Sequence, residues 1–243
     1  MMFHSLPLVV IGPALFILFL VAAYGGAQLS RRVPTTGEAY PSGLVIGAAT
    51  SLLGLLIAFT FSIALGRYEI RRDLIVREAN AVRNVVHRAR MVASPAGEEI
   101  VTQTRGYLTM RIASEGADPP ATLPPTSTVD LQEKLWATAL SLPSNNGPLL
   151  DALTELFASA DTRESARAEQ IPALVLTLVV LMSVATSAIL GFAMSATARI
   201  MRLPLLAYLA VLALALTLIL DLDRPQVGGV RVSQGPLLQL LEQ

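Results

Sequence analysis

Cysteine is absent from the 243 residues, so disulfides, thiolate metal ligands and a cysteine nucleophile are excluded. Histidine is nearly absent: His4 and His87 are the only two, too few and too far apart in sequence for a histidine zinc site. Charged residues make up 15% of the chain, against about a quarter in an ordinary soluble domain. Their formal sum is zero, so no global field attracts a polyanion and nucleic acid is not expected as a partner. Lysine occurs once, at Lys134, and the other basic residues are Arg. Aromatics are only 5%, so the apolar content is not an aromatic core. No Walker-type loop, His-Glu-x-x-His, Gly-x-Ser-x-Gly or paired His/carboxylate constellation occurs. Neither an enzyme, a cofactor nor a metal site is expected.

What is present in excess is Leu, Ala, Val and Ile. Apolar residues reach 53% and mean hydropathy is +0.58. Four uncharged runs stand out: Leu6–Leu29, Gly43–Leu65, Ile171–Ala198 and Leu203–Leu220. Three exceed the roughly 20 residues that span a bilayer, and the fourth is only slightly shorter. The first has no Lys or Arg ahead of it and is long for a secretory signal core. It reads as a retained helix, with Gly12 and Pro13 as a bend. No run contains Asp, Glu, Lys, Arg or His, which argues against a proton-coupled carrier and, less strongly, against a sodium carrier. The fold class read from this pattern is an all-α integral membrane protein, with four transmembrane helices and a helical soluble insertion between the second and third.

The implied organisation is a first helix pair over 1–65, an extramembrane insertion over 66–170, a second pair over 171–220 and a tail over 221–243. The pairs are linked by Ser30–Ser42 and Arg199–Arg202. Arg31, Arg32, Arg199 and Arg202 lie in these short loops, and Arg67, Arg71, Arg72, Arg77 and Arg83 follow the second run. The charge rule gives a narrow preference for a cytoplasmic insertion in a multi-pass protein of the cell (inner) membrane. Residues Arg67–Ala93 lack Gly and Pro and repeat apolar side chains at helical spacing (Ile75, Ala79, Val82, Val86, Ala89). The second span is therefore expected to continue through Gly66 as one long helix. Ser94–Gly97 breaks it, and helices follow over Glu98–Ala113, Val129–Leu142 and Pro148–Gln170. The Pro119-Pro120 and Pro124-Pro125 pairs and Pro143–Gly147 mark loops. Within the insertion Gly66–Val92 has a net charge of +4 and Ala93–Gln170 a net charge of −6. The positive stretch reads either as a headgroup-level helix or as a collar at a pore mouth.

Several side-chain patterns are candidates for function. Gly43, Gly47, Ser51, Gly54, Ala58, Ser62 and Gly66 recur at steps of three or four, a stripe of small residues that suits a helix-packing seam or a water-lined face. Ile57, Phe61 and Leu65 run beside it; several copies brought together would form an apolar neck that gates by dewetting. Arg67, Arg71 and Arg72 would then be an anion-attracting mouth. Ser183, Ser187, Gly191 and Ser195, with Arg199 after them, form a line that reads equally as a seam or as a hydroxyl-lined conduit. Asp221 and Asp223, with Arg224 and Pro225, read as an interfacial cap more than as a cation site, since calcium takes six to eight oxygens. Leu237, Leu238, Leu240 and Leu241 suggest a short docked amphipathic segment.

The run Leu52-Leu53-Gly54-Leu55-Leu56-Ile57-Ala58-Phe59-Thr60-Phe61-Ser62, with Arg67-Tyr68, Arg71-Arg72 and Glu78-Ala79-Asn80-Ala81, resembles the signature of the bestrophin-like family of bacterial membrane proteins. Leu135-Trp136, Arg167 with Ile171-Pro172, and Asp221-Leu222-Asp223-Arg224-Pro225 with Arg231-Val232-Ser233-Gln234 fit the same pattern. The resemblance covers almost all of the chain after Gly43. It marks Glu78, Asn80, Arg167, Asp221, Asp223 and Arg224 as family-motif polar residues. It also implies distant kinship with bestrophins, pentameric chloride channels whose second membrane helix lines the pore. The implied function is an anion-permeable homo-oligomeric channel, a pentamer in the lipid bilayer passing chloride or other small anions, with Ile57, Phe61 and Leu65 at the neck. The proline-containing neck motif, the aromatic-rich end of the second helix and an acidic calcium clasp of true bestrophins are missing, so calcium gating is not implied. The alternative is a non-conducting scaffold or signalling protein whose helical insertion binds a partner.

Overall fold

In the computed structural model the described residues are 8–32, 43–92, 94–114, 128–142, 146–194, 202–224, 229–230 and 232–242. Among them every regular element is a helix: α1 (Leu8–Arg32), α2 (Gly43–Met91), α3 (Pro95–Ser114), α4 (Thr128–Leu140), α5 (Gly147–Ala168), α6 (Ala173–Ala193), α7 (Arg202–Asp223) and α8 (Gly235–Leu241). Expected features at Met1–Pro7, over residues 33–42, at the two proline pairs, at Pro143–Asn145, and at Ser195, Arg199, Pro225, Gly228 and Arg231 lie outside the described residues.

Four helical segments are long and apolar enough to cross a bilayer: Val9–Arg32, Gly43–Met91, Gly147–Ala193 and Leu203–Asp223. Helices satisfy every backbone N–H and C=O internally, which is what hydrocarbon demands. Gly66 does not interrupt α2, which runs for 49 residues, and α1 continues through Pro13. Within the third segment α5 and α6 are parted where Glu169 is extended and Pro172 opens α6, because the residue before a proline disfavours helix. The break at Ser94–Gly97 is shorter than the sequence suggested. The Ser94 hydroxyl accepts the Gly97 N–H at 3.2 Å and Pro95 takes the first helical position. Ser94 thus caps the start of α3.

The contacts divide the chain into two units. The first comprises 1–67 and 170–230, the second 68–169 and 231–243. In the first unit α1 packs on α6 and α7. Ile11, Leu15, Phe19 and Ala23, one turn apart along α1, are all buried. A Cβ on Gly26 would overlap the Ala188 carbonyl oxygen, and one on Gly191 would overlap that of Ala23. The two backbones touch there, as small residues permit in lipid. Ser183 and Ser187 are fully buried, and their hydroxyls donate to the carbonyls of Val179 and Ser183, each at 2.7 Å. With Gly191 they form a seam against α1; of the two readings of this line the structure selects the packing one.

In the second unit α2 to α5 and α8 share one core built on Ile75, Val82, Val85, Ile100, Tyr107, Leu135, Leu153, Leu156 and Leu237. The leucine-rich tail is thereby docked on protein, with Leu237 fully buried. Trp136 of α4 meets Phe157 of α5 with ring centroids 6.4 Å apart.

The α1–α6 contact generates a paired expectation. Gly191→Ala and Gly26→Ala should each lower the melting temperature of the detergent-solubilised protein, by an amount corresponding to about 1–3 kcal/mol of overpacking. Gly25→Ala, where an added Cβ meets nothing within 4 Å, should leave it unchanged.

Candidate functional site

The first half of α2 turns only one side to its own chain: Leu53, Thr60 and Ala64 are buried. At 3.6 residues per turn the opposite side carries the small-residue stripe. Gly43, Gly47, Ser51, Gly54, Ala58 and Ser62 are exposed and Gly66 is half-buried. A Cβ on Gly43, Gly47, Gly54 or Gly66 would meet nothing within 4 Å. No described part of the chain covers this stripe. Ile57 and Phe61 are half-buried at its margin, and Leu65 is exposed. The face is therefore uncharged, open and lined alternately by small and bulky apolar side chains. The Thr60 hydroxyl is folded back onto the Leu56 carbonyl at 2.8 Å and presents no polar group to it.

The three arginines after this stretch differ in their own surroundings. Arg72 is exposed and Arg67 half-buried; the Arg67 Nη1 atom is buried and has no hydrogen-bond partner among the described residues. Arg71 is 5% exposed. Its guanidinium donates to the carbonyls of Ala166 at 3.4 Å and Glu169 at 2.9 Å. Those are the unsatisfied carbonyls at the C-terminus of α5, where a cation also meets the negative end of the helix dipole. The charge of Arg71 is committed to that helix end. Arg167, another family-motif residue, is half-buried near the same end of α5.

Glu78 is fully buried in the second unit. Its Oε1 accepts from Arg111 Nε at 3.1 Å and its Oε2 from Arg163 Nη1. One carboxylate from α2 is thus matched by guanidinia from α3 and α5, themselves 7% and 3% exposed. A carboxylate removed from water needs such charge-assisted partners on both oxygens. Asn80, by contrast, is exposed and accepts from Arg83 Nη1 at 2.9 Å. One turn before Arg111, Tyr107 is buried, and burial pushes its phenol up to about 12; the Arg111 charge offsets part of that rise.

Arg111 and Arg163 were not among the residues singled out from the sequence, yet a signal for them existed. Leu149, Leu153, Leu156, Ala160 and Arg163 follow alternating steps of four and three, as do Ile100, Thr104, Tyr107 and Arg111. Each arginine extends the core stripe of its helix, and an ionisable residue on such a stripe requires a buried counter-charge.

In the first unit the Asp221–Arg224 cluster is buried at the end of α7. Asp221 accepts the N–H of Gly229 at 2.9 Å and of Val230 at 3.1 Å, one on each carboxylate oxygen. Asp223 Oδ1 accepts the N–H of Ile171 at 2.9 Å, just ahead of α6. These carboxylates tie a following loop and a neighbouring helix start to the end of α7. No group of three or more metal-ligating side chains occurs among the described residues.

Two outcomes follow. Glu78→Ala leaves two buried guanidinia without their carboxylate and should cost on the order of 3–5 kcal/mol in thermal unfolding. A triple variant with Leu at 78 and Met at 111 and 163 should recover most of it. Tyr107 should remain protonated until near pH 12 in an ultraviolet titration, read as the difference from Tyr107→Phe. Its raised pKa means that the folded state holds the proton more tightly. The associated stability is therefore present below pH ~10 and lost as pH climbs from there towards 12.

The sequence profile of the Bestrophin-like domain matches residues 9–237. A search of the curated proteins finds no match. Among solved structures, a single-substitution variant of a bacterial bestrophin homologue from Klebsiella pneumoniae is similar with a TM-score of 0.76 and 15% identity, over 96% of this chain and 99% of that one. The homologue solved by zinc phasing gives 0.73 at 15% identity over 93% and 98%. Another single-substitution variant gives 0.70 at 16% identity over 93% of each chain. At these identities the likeness speaks for a shared fold, while the profile match spans most of the sequence. With its apolar helices, this chain is a membrane protein and belongs to the bestrophin-like family.

Proposed function

We propose that the protein is an anion-permeable homo-oligomeric channel, with copies of α2 lining a central pore. The observation that carries this reading is the uncovered face of α2, where Gly54, Ala58 and Ser62 are exposed and lie beside Ile57, Phe61 and Leu65. In a bilayer such a face meets lipid unless another copy or a water-filled lumen completes it, and its small residues suit close helix approach. In this arrangement the small residues admit a neighbouring α2 at close range, and the three bulky side chains project towards the axis as an apolar neck. Arg72 supplies an exposed cation past the neck and raises the local anion concentration; Arg67 stands nearer to it in sequence, and Arg71 holds the end of α5. The organisation that goes with this is four membrane crossings in the inner membrane, a cytoplasmic helical region over 66–170 and five subunits, as the kinship with bestrophins suggests. Chloride is the permeant species to test first.

One observation favours the alternative of a partner-binding scaffold. Trp136, Leu140 and Phe157 line an open groove between α4 and α5, flanked by Glu133 and Asp161. That groove is an apolar, acid-rimmed surface of the kind that receives another protein.

Reconstitution into liposomes separates the readings. The channel reading expects chloride efflux above that of empty vesicles, raised several-fold by Phe61→Ala because the neck is widened. It also expects a detergent-solubilised mass of about five copies of the 25.8 kDa chain. A monomer or dimer, or vesicles that leak no faster than empty ones, would leave α2 without a shared pore and sink the proposal.

A further inference from the structure

A second feature of the soluble unit is independent of whether the protein conducts. Between the end of α2, the middle of α3 and α8 lies a small, partly open cleft. Its floor is apolar: Val82 and Leu108 are buried, and Val86 and Leu240 are half-buried. Thr104 is also buried, but its hydroxyl is occupied by the Ile100 carbonyl at 2.7 Å. The charged members of the lining are Arg83, His87 and Arg90 from α2 and Arg105 from α3. No carboxylate lines the cleft among the described residues.

This arrangement differs from an ordinary solvated surface. Residues 79–97 contain three arginines and a histidine and no Asp or Glu. Arg83, His87 and Arg90 recur at steps of four and three and face one side of α2. Arg88, between them, is directed elsewhere: its Nε donates to Asn84 Oδ1 at 3.0 Å and its Nη1 to the Pro148 carbonyl. Arg83 holds only Asn80, and Arg90, His87 and Arg105 have no hydrogen bond or ion pair among the described residues. The carboxylates carried by the packed elements lie outside the described lining: Glu69, Asp73 and Glu78 on α2, with Glu78 held by Arg111 and Arg163, Glu98 and Glu99 on α3, with Glu99 bonded to Gln103 at 3.0 Å, and Glu242 after α8. The helix dipole accounts for cations in the last turn of α2, but not for Arg105, which lies mid-helix in α3 and adds a further positive charge to the same rim. Like charges gathered around an apolar depression repel one another and are stabilised by an external anion.

We propose that this cleft binds a small organic anion, with its oxyanion head between Arg83, Arg90 and Arg105 and a short apolar tail on Val82, Val86, Leu108 and Leu240. The guanidinium forks suit carboxylate or phosphate oxygens, and the floor supplies apolar burial that an inorganic ion would leave unused.

The test uses the full chain in nanodiscs, with hexanoate as the probe, and saturation-transfer NMR and calorimetric titration as readouts. Hexanoate should bind saturably, acetate and hexan-1-ol far more weakly. The Arg90→Ala/Arg105→Ala double variant should lose at least about tenfold in affinity, while Arg77→Ala, exposed on α2 outside the cleft, should not. Both arginines are exposed, so the double variant is expected to fold; an unchanged melting temperature verifies this. Acetate binding as tightly as hexanoate would overturn the apolar part of the site. Hexan-1-ol binding as tightly would overturn the anionic part. Equal hexanoate affinity in the double variant, or no saturable binding to the parent protein, would overturn the proposal as a whole.

Discussion

Hydrocarbon offers no hydrogen-bond partner, and the lipid-facing half of this chain is organised by that fact. Each long apolar run closes its own backbone bonds as a helix. Several hydroxyls within these runs are turned onto carbonyls of their own helix, as at Thr60, Ser183, Ser187 and Thr217. Water exclusion cannot drive one such helix against another in lipid, so close contact depends on shape. Gly26 and Gly191 bring α1 and α6 together because only a missing Cβ lets their backbones meet. The same composition on α2 has no described partner in the chain. That contrast, one small-residue stripe satisfied and another left open, gives the channel reading its physical basis.

Arginine serves two separate structural purposes. Arg71 closes the carbonyls at the end of α5. Arg111 and Arg163 neutralise a single carboxylate inside the second unit. A buried arrangement of this kind contributes little net stability compared with an apolar packing. The guanidinia of Arg83, Arg90 and Arg105 perform neither task. They remain around an apolar cleft whose described lining holds no carboxylate, which sets them apart from the structural arginines.

Much of the fold was legible because helix formation is local. The step of three or four residues placed the α2 continuation through Gly66 and the helices now seen as α3, α4 and α5 to within a few residues. The leucines after Pro236 read as a docked segment, and they do pack, with Leu237 in the core. Ser94–Gly97 was harder, because a cap and a breaker use the same residues: Ser94, Pro95 and Gly97 form the first turn of α3 and its cap, not a gap after α2. The fully buried Glu78 was marked only by resemblance. Its partners were missed even though Arg111 and Arg163 lie on the core stripes of their own helices.

What the amino-acid order alone determined is therefore everything that depends on neighbours a few residues away: helices, apolar faces, and the exclusion of thiol and multi-histidine chemistry. Which charges meet was decided only by the tertiary structure, since Glu78 lies 33 residues from Arg111 and 85 from Arg163. So was the separation of Arg71 from Arg72: adjacent in the chain, they differ by 100° around the helix, enough to place one on buried carbonyls and the other in solvent. Periodicity specifies a direction around a helix axis. What stands in that direction depends on how distant segments pack, and that is settled by volume, burial and charge compensation acting together.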